Sequence, residues 1–336
     1  MKINRTLFLL FLLILSASCG DINVPKSLIL YETGILTIDD KPFPGEFGDY
    51  YHFLTSSELV GVPQGGTVMV SEPADFKGSL LMYPPGMGNE FAAYDSATIG
   101  LVKESVLAGY KVFQIKWDTS WLIGSEKREG FTKMAVHPAT VTKELIKRFG
   151  IGDKPVILFG GSGGAAQIAY MLSYYGLDNE VDVAILWGGF WMGRIDIGCL
   201  DTNPLNTHLH YSEIAKKWMD PKKFIDLSYG YDYETPGPCE LGDTSFRKSF
   251  LENSIAGTGN YFFPNTEIYL LYPGNDGLGA LNQGLTYYEK LISAGSPNVY
   301  MQVVDGATHE MTKDSTSLAT FKTILWQSIQ KQQGTN

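Results

Sequence analysis

The run from Pro155 to Tyr170 constrains this chain more than any other segment. The apolar stretch Val156-Ile157-Leu158-Phe159 reads as a buried strand and enters Gly160-Gly161-Ser162-Gly163-Gly164 directly; a small-residue helix follows at once. This is the G-x-S-x-G pattern of a serine held at a sharp strand-to-helix turn. The turn is so tight that a Cβ two positions before or after the serine would collide with the neighbouring strand or helix. Gly160 and Gly164 remove those atoms, and Ser162 is pushed outward. The helix that begins there offers free N–H groups and the positive end of its dipole to a developing oxyanion.

Gly161-Ser162-Gly163-Gly164-Ala165-Ala166 also fits the dinucleotide fingerprint G-x-G-x-x-G/A. That arrangement needs an acidic residue at the end of the next strand, roughly 20 residues on. Here that strand, Val181 to Gly189, ends without one, and a long segment precedes the turn. The serine turn is the better account.

A serine of this kind is followed along the chain by an acid and then a histidine. Of the five histidines (His52, His137, His208, His210 and His309), only His309 lies far downstream on a loop after a clear strand, Asn298 to Val304. Just upstream, the apolar strand Glu267 to Tyr272 ends in Pro273-Gly274-Asn275-Asp276. Asp276 and His309 are therefore expected at the carboxyl ends of adjacent parallel strands, on the edge where open α/β sheets bind ligands. Asp276 is also a natural turn residue. Asp196 competes as the acid, and Asp305 reads as a loop-shaping residue. An oxyanion hole needs the N–H of Gly163 and one from an earlier loop. In Pro84-Pro85-Gly86-Met87 the prolines have no N–H, which leaves Met87 or its neighbour Gly86.

With these residues in place, the chain from about Val60 onward resembles the α/β-hydrolases. The matching features are Gly160–Gly164, Asp276, His309 and the loop at Gly86-Met87; the His-Gly pair common in that family's oxyanion loop is absent. The glycine-rich serine turn is also similar to that of secreted carbohydrate and pectin acetylesterases. The resemblance implies a mostly parallel sheet covered by helices on both faces, a Ser162–Asp276–His309 triad and no cofactor. Fold alone does not fix chemistry.

Lys2 and Arg5 precede the short apolar run Leu7–Leu15, followed by Ser16-Ala17-Ser18-Cys19. Residues 1–18 read as a secretory signal peptide, too short for a permanent span. Cys19 resembles the lipid-modified cysteine of bacterial lipoproteins, although Ser16 stands where leucine is usual; plain cleavage near Ala17 is the alternative. The implied product is exported and tethered to a membrane surface. Loss of Lys2 and Arg5 leaves 24 basic against 36 acidic residues, which argues against nucleic acid as a partner.

Residues 19–336 suit one α/β domain. Short strands before residue 79, such as Ser27–Tyr31 and Thr67–Val70, give way to alternating strands and helices. The interruption from 190 to 264, after the sixth strand on this count, is too long for a loop and is expected to form a cap over the active edge. It holds Cys199 and Cys239, an even pair expected to form a disulfide in an exported protein. His208 and His210 lack a third ligand at any metal-site spacing, so no metal is assigned. Trp117, Trp121, Phe190 and Trp191 are candidates for a substrate pocket, or else for core packing.

The expected activity is hydrolysis of a small-molecule or glycan carboxylic ester by a serine nucleophile. A serine peptidase with the same triad, and a non-catalytic binding lipoprotein on this fold, are the alternatives.

Overall fold

The computed structural model describes residues 32–93, 96–124, 130–201, 209, 220–311 and 314–334. The signal peptide, Cys19, Ser27–Tyr31, His208 and His210 lie outside the described residues.

The central strands have side chains buried on both faces. Strand β5 (Gly78–Tyr83) sends Leu80 and Met82 to one face and Leu81 and Tyr83 to the other. Strands β7 (Val156–Gly161) and β8 (Val183–Trp187) alternate in the same way. Such strands must be covered twice. On one side, α1 (Ser96–Leu107) and α10 (Ser315–Gly334) bring Leu101, Val102, Phe321 and Leu325 against Leu80, Ile157 and Val183. On the other, α3 (Val136–Arg148), α4 (Gly163–Tyr175) and α9 (Leu281–Ser293) cover Leu81, Leu158 and Leu186. The short α2 (Gly130–Met134) precedes α3.

The other strands are β1 (Ile35–Ile38), β2 (Phe43–Pro44), β3 (Asp49–Ser57), β4 (Val60–Ser71), β6 (Tyr110–Trp117), β9 (Glu267–Pro273) and β10 (Val299–Val304). Among the described residues they form one sheet in the order β1-β3-β4-β6-β5-β7-β8-β9-β10, with β2 beside β3. From β6 to β10 all pairs are parallel; β3, β4 and β6 pair antiparallel. After β5 the chain steps outward to β6 and then returns to β7 on the other side of β5. That reversal opens a crevice at the carboxyl ends of β5 and β7, the usual ligand position in such sheets.

The alternation from residue 78 onward matches the sequence expectation closely. The N-terminal part differs: it builds a long hairpin from β3 and β4, with nine and twelve residues, rather than short strands. Four strands therefore precede β5, and the inserted segment follows the eighth strand.

That segment contains α5 (Ile195–Leu200), α6 (Pro221–Ser228), α7 (Arg247–Glu252) and α8 (Ile255–Thr258). It packs against α4 through buried tyrosines. Tyr170 Oη donates to the carbonyls of Trp191 and Asn253, each at 3.0 Å, and Tyr174 Oη donates to that of Ser254 at 3.1 Å. The Cys199–Cys239 disulfide expected from the sequence joins α5 to the turn after α6, with Cα atoms 4.7 Å apart. Buried Asp226 holds that turn by accepting from the N–H groups of Cys239 at 2.8 Å and Glu240 at 3.0 Å. Among the described residues, no helix is long and apolar enough to cross a membrane.

The bridge spans a sequence separation of 40 residues. On the chain-entropy argument, the double variant Cys199→Ser/Cys239→Ser should lose about 3–4 kcal/mol of stability. Denaturant unfolding of oxidised wild type and variant measures this directly; equal midpoints would show that Asp226 and the buried tyrosines hold the insertion unaided.

Candidate active site

Ser162 sits between the end of β7 and the start of α4 with φ 52° and ψ −116°, a left-handed conformation rare for a side-chain-bearing residue. The surroundings over-determine it. A Cβ on Gly160 would lie 2.4 Å from the Gly164 carbonyl carbon, and one on Gly164 2.6 Å from the Tyr83 carbonyl oxygen. The Ser162 N–H donates to the Trp187 carbonyl at 2.7 Å, fixing the turn to β8. The tightest approach is one the sequence did not single out: a Cβ on Gly163 would lie 2.1 Å from the Gly86 carbonyl oxygen. The loop after β5 is thus in backbone contact with the first turn of α4.

Gly86, at φ 57°, turns that loop. Neither the Gly163 nor the Met87 N–H donates to an acceptor among the described residues. The loop is held from behind by Trp117, whose N–H donates to the Gly88 carbonyl at 2.8 Å. Its indole donates to Gln167 Oε1 at 2.9 Å.

His309 and Asp276 follow β10 and β9. The two loops are stitched by the Gly274 N–H donating to Val304 at 2.8 Å and the Asn275 N–H to Ala307 at 2.9 Å. Asp276 Oδ1 lies 3.2 Å from His309 Nδ1, an ion-pair distance at which the ring N–H is out of line for a well-formed hydrogen bond. Catalytic contacts are often this loose before substrate binds. Asp276 also accepts from the N–H groups of Leu278 at 2.9 Å and Ala280 at 3.0 Å. It is at once the turn residue and the histidine's partner. Burial pushes its pKa up, but His309 and the two N–H donors outweigh this and hold it below the ordinary carboxyl value. Its contribution to stability is therefore present above that ordinary value and lost as pH falls through the lowered one.

The His309 loop has a second anchor that the sequence pattern left unread. Asp314 accepts from the N–H of Thr308 at 2.9 Å and of Ser317 at 2.6 Å, and from both hydroxyls. Against the upward push of burial, these donors bring its pKa down to about 2. The signal was a helix-cap pattern, an aspartate three residues before a serine at a helix start. On the other side the Trp187 indole donates to the His309 carbonyl at 3.1 Å, and Gly188, at φ 55°, leaves room for the ring.

Ser162 and His309 line one cavity of about 450 Å³, with Gly86, Met87, Phe159, Trp187, Leu278 and Met311 among its walls. Trp117, Trp121, Phe190 and Trp191 do not line it. All four are buried: Trp121 and Trp191 pack around Phe131, and Phe190 lies 5.0 Å from the His309 ring, centre to centre. They are core supports of the site rather than its surface. None of the described residues of the inserted segment walls this cavity; 202–208 and 210–219 of that segment lie outside the described residues. Asp196 is engaged elsewhere, in a two-point ion pair with Arg194 at 2.7 and 2.6 Å. Asp305 is exposed. Among the described residues, no group of three or more histidine, cysteine or acidic side chains could hold a metal.

No protein-family model matches the chain, and no curated protein does. Solved structures do. An acylaminoacyl peptidase from Pyrococcus horikoshii aligns with a TM-score of 0.51 and 13% identity over 81% of this chain and 39% of its own. A puromycin-hydrolyzing peptidase from Mycobacterium tuberculosis gives 0.51 and 13% over 88% and 38%. A thermostable carboxyl esterase from Bacillus coagulans gives 0.50 and 15% over 83% and 99%. The chain has the α/β-hydrolase fold. It spans 39% and 38% of the two peptidases and matches the esterase almost end to end. At these identities the likeness is one of fold. In this α/β-hydrolase fold the crevice at the β5/β7 reversal is the cavity that holds Ser162.

The glycines of the turn separate cleanly. A Cβ on Gly161 would point into open space, whereas one on Gly164 would strike the backbone of Tyr83 and Pro84. Gly161→Ala should leave stability within about 0.5 kcal/mol, while Gly164→Ala should cost more than about 2 kcal/mol or prevent folding. Thermal unfolding of the two variants decides it, and equal losses would refute this account of the turn.

Proposed function

We propose that this chain is an exported serine hydrolase acting on carboxylic esters. Ser162 Oγ attacks the ester carbonyl carbon while His309 takes its proton; Asp276 orients the imidazole and stabilises its charged form. The Gly163 and Met87 N–H groups receive the oxyanion. Collapse of the tetrahedral species expels the alcohol, protonated by His309, and leaves an acyl group on Ser162. Water then attacks that acyl group, giving its proton to His309. The carboxylic acid departs and the proton returns to Ser162.

One observation carries this reading: a serine in a strained, glycine-enforced turn opens onto the same cavity as a histidine whose far nitrogen faces a buried carboxylate. The largely apolar walls favour an acyl or alkyl group, and the chain's negative charge disfavours polyanions. We further propose cleavage before Cys19 and lipid attachment there, which places the enzyme at a bacterial membrane surface. The Cys199–Cys239 disulfide supports an oxidising compartment outside the cytoplasm.

A fluorophosphonate probe should label the wild-type protein at Ser162, and Ser162→Ala should abolish both labelling and ester turnover. A folded wild type that neither labels nor hydrolyses any ester or amide would make the chain a binding protein on a hydrolase fold.

Asp276→Asn should lower kcat by a factor on the order of 10⁴, the cost of a disrupted histidine tautomer in serine proteases. Asp196→Asn should leave kcat nearly unchanged and instead lower the melting temperature, because it breaks the buried pair with Arg194. Steady-state kinetics on both variants distinguishes them, and the reverse ranking would move the orienting acid to the inserted segment.

A further inference from the structure

Next to the Ser162 cavity lies a larger one, a cleft of about 930 Å³. Helix α1 forms one wall with Ile99, Val102 and Val106, spaced by three and four residues on one helical face. Tyr50 and Met69 of the β3–β4 hairpin stand opposite. Leu107, 87% exposed, also lines the cleft.

The two cavities share a wall. Asn89 and Glu90 line both; Ala92 faces the Ser162 cavity and Ala93 faces the cleft. The Ala93 N–H donates to Gln114 Oε1 at 2.9 Å, which pins this strip of chain to β6. The shared residues Asn89 and Glu90 are exposed. Each volume lies in the range of about 300–1,000 Å³ usual for small-molecule sites.

We propose that the cleft is a subsite for a long apolar chain of the ester substrate, reached from Ser162 across Asn89 and Glu90. This rests on the hydrolase reading of the Ser162 site. The apolar walls match a hydrocarbon chain, and the continuity with the Ser162 cavity makes that chain part of the molecule being cleaved. A sugar ring fits less well, because faces of the aromatic rings are already engaged. Tyr50 stacks on Phe43 at 5.5 Å, and the Lys116 ammonium lies 5.6 Å above Phe91. Lys103 and Lys116 line the cleft together with Glu46, Glu72 and Glu90; the Lys103 ammonium lies 5.6 Å from the Phe47 ring centre, and the lysine stems extend the apolar surface. The chain belongs either to the acyl or to the alcohol portion, and the two are told apart by experiment.

The test compares two substrate series, p-nitrophenyl esters of lengthening fatty acids and acetate esters of lengthening alcohols. For wild type, KM should fall with chain length in one series, by up to about fourfold per buried methylene. Val106→Trp, which fills the cleft, should remove at least about tenfold of that preference in kcat/KM while turnover of the shortest ester stays within about twofold of wild type. Ile99→Gln, which makes the wall polar without filling it, gives the same reading if the tryptophan variant fails to fold. A length preference that is absent, or that both folded variants retain, overturns the proposal. Calorimetric binding of octyl acetate to Ser162→Ala separates the subsite from the chemistry. If no ester is cleaved, yet octyl acetate binds Ser162→Ala and not Ser162→Ala/Val106→Trp, the hydrolase reading fails and the subsite stands. If Val106→Trp changes only the mass of the protein in solution, the cleft is a contact between copies and the subsite is wrong.

Discussion

The contact between Gly163 and the Gly86 carbonyl is the constraint on which the site depends. Two segments 77 positions apart in the chain meet at backbone distance, and no side chain fits between them. This approach brings the N–H at the start of α4 beside the one offered by the loop after β5. It also sets the strained turn of Ser162 against β8, through the hydrogen bond to Trp187. Strain in a single residue costs about 1–3 kcal/mol and persists only where its surroundings over-determine it. Here three glycines, two neighbouring strands and a helix start do so together. The site is consequently a property of the central sheet, and it is insensitive to much of what lies outside.

The inserted segment illustrates that separation. Tyrosine contacts from α4 bind it to the sheet's helix layer, while its disulfide and the Asp226 clamp hold it together internally. What it does supply to the site is packing: Phe190 at its start lies against the His309 ring, and Trp191 packs on Phe190 and Phe131. Trp191 is itself in a left-handed conformation, at φ 55°, with its N–H bound to Gln283 Oε1 at 2.7 Å. That hydrogen bond ties the loop that follows β8 to α9.

The sheet from β5 onward was legible in the sequence because its strands are short apolar runs separated by helical stretches and punctuated by Gly and Pro. The serine turn was legible for the same steric reason that makes it work. Asp276 and His309 followed from chain order, and the structure brings them to 3.2 Å. The four aromatics placed at a pocket were not legible, because a tryptophan after a strand end can turn toward core or solvent with equal propensity. The direction was set by Gln167, Phe131 and other partners distant in sequence. The long β3–β4 hairpin was hidden by the glycines and polar positions Gln64-Gly65-Gly66, which interrupt the apolar pattern and left only Thr67–Val70 legible as a short strand. Gly66 is there because Phe53 and the Lys116 carbonyl leave no space for a side chain, a fact only the folded sheet can express.

The carboxylates divide by task in a way that fixes where the molecule is sensitive to pH. Asp276 and Asp314 both ionise below the ordinary carboxyl range, held there by N–H and hydroxyl donors. Each favours the folded state above that range and loses its effect as pH falls through the lowered value. At neutral pH these two carboxylates give the loop carrying His309 a fixed negative charge. Asp226 lies on the other side of the balance. Burial pushes it up to about 6, despite the two N–H donors of the disulfide turn. Its favourable contribution is complete at low pH and is lost as pH rises through about 6. The carboxylate of the insertion and those of the His309 loop thus respond to pH in opposite directions.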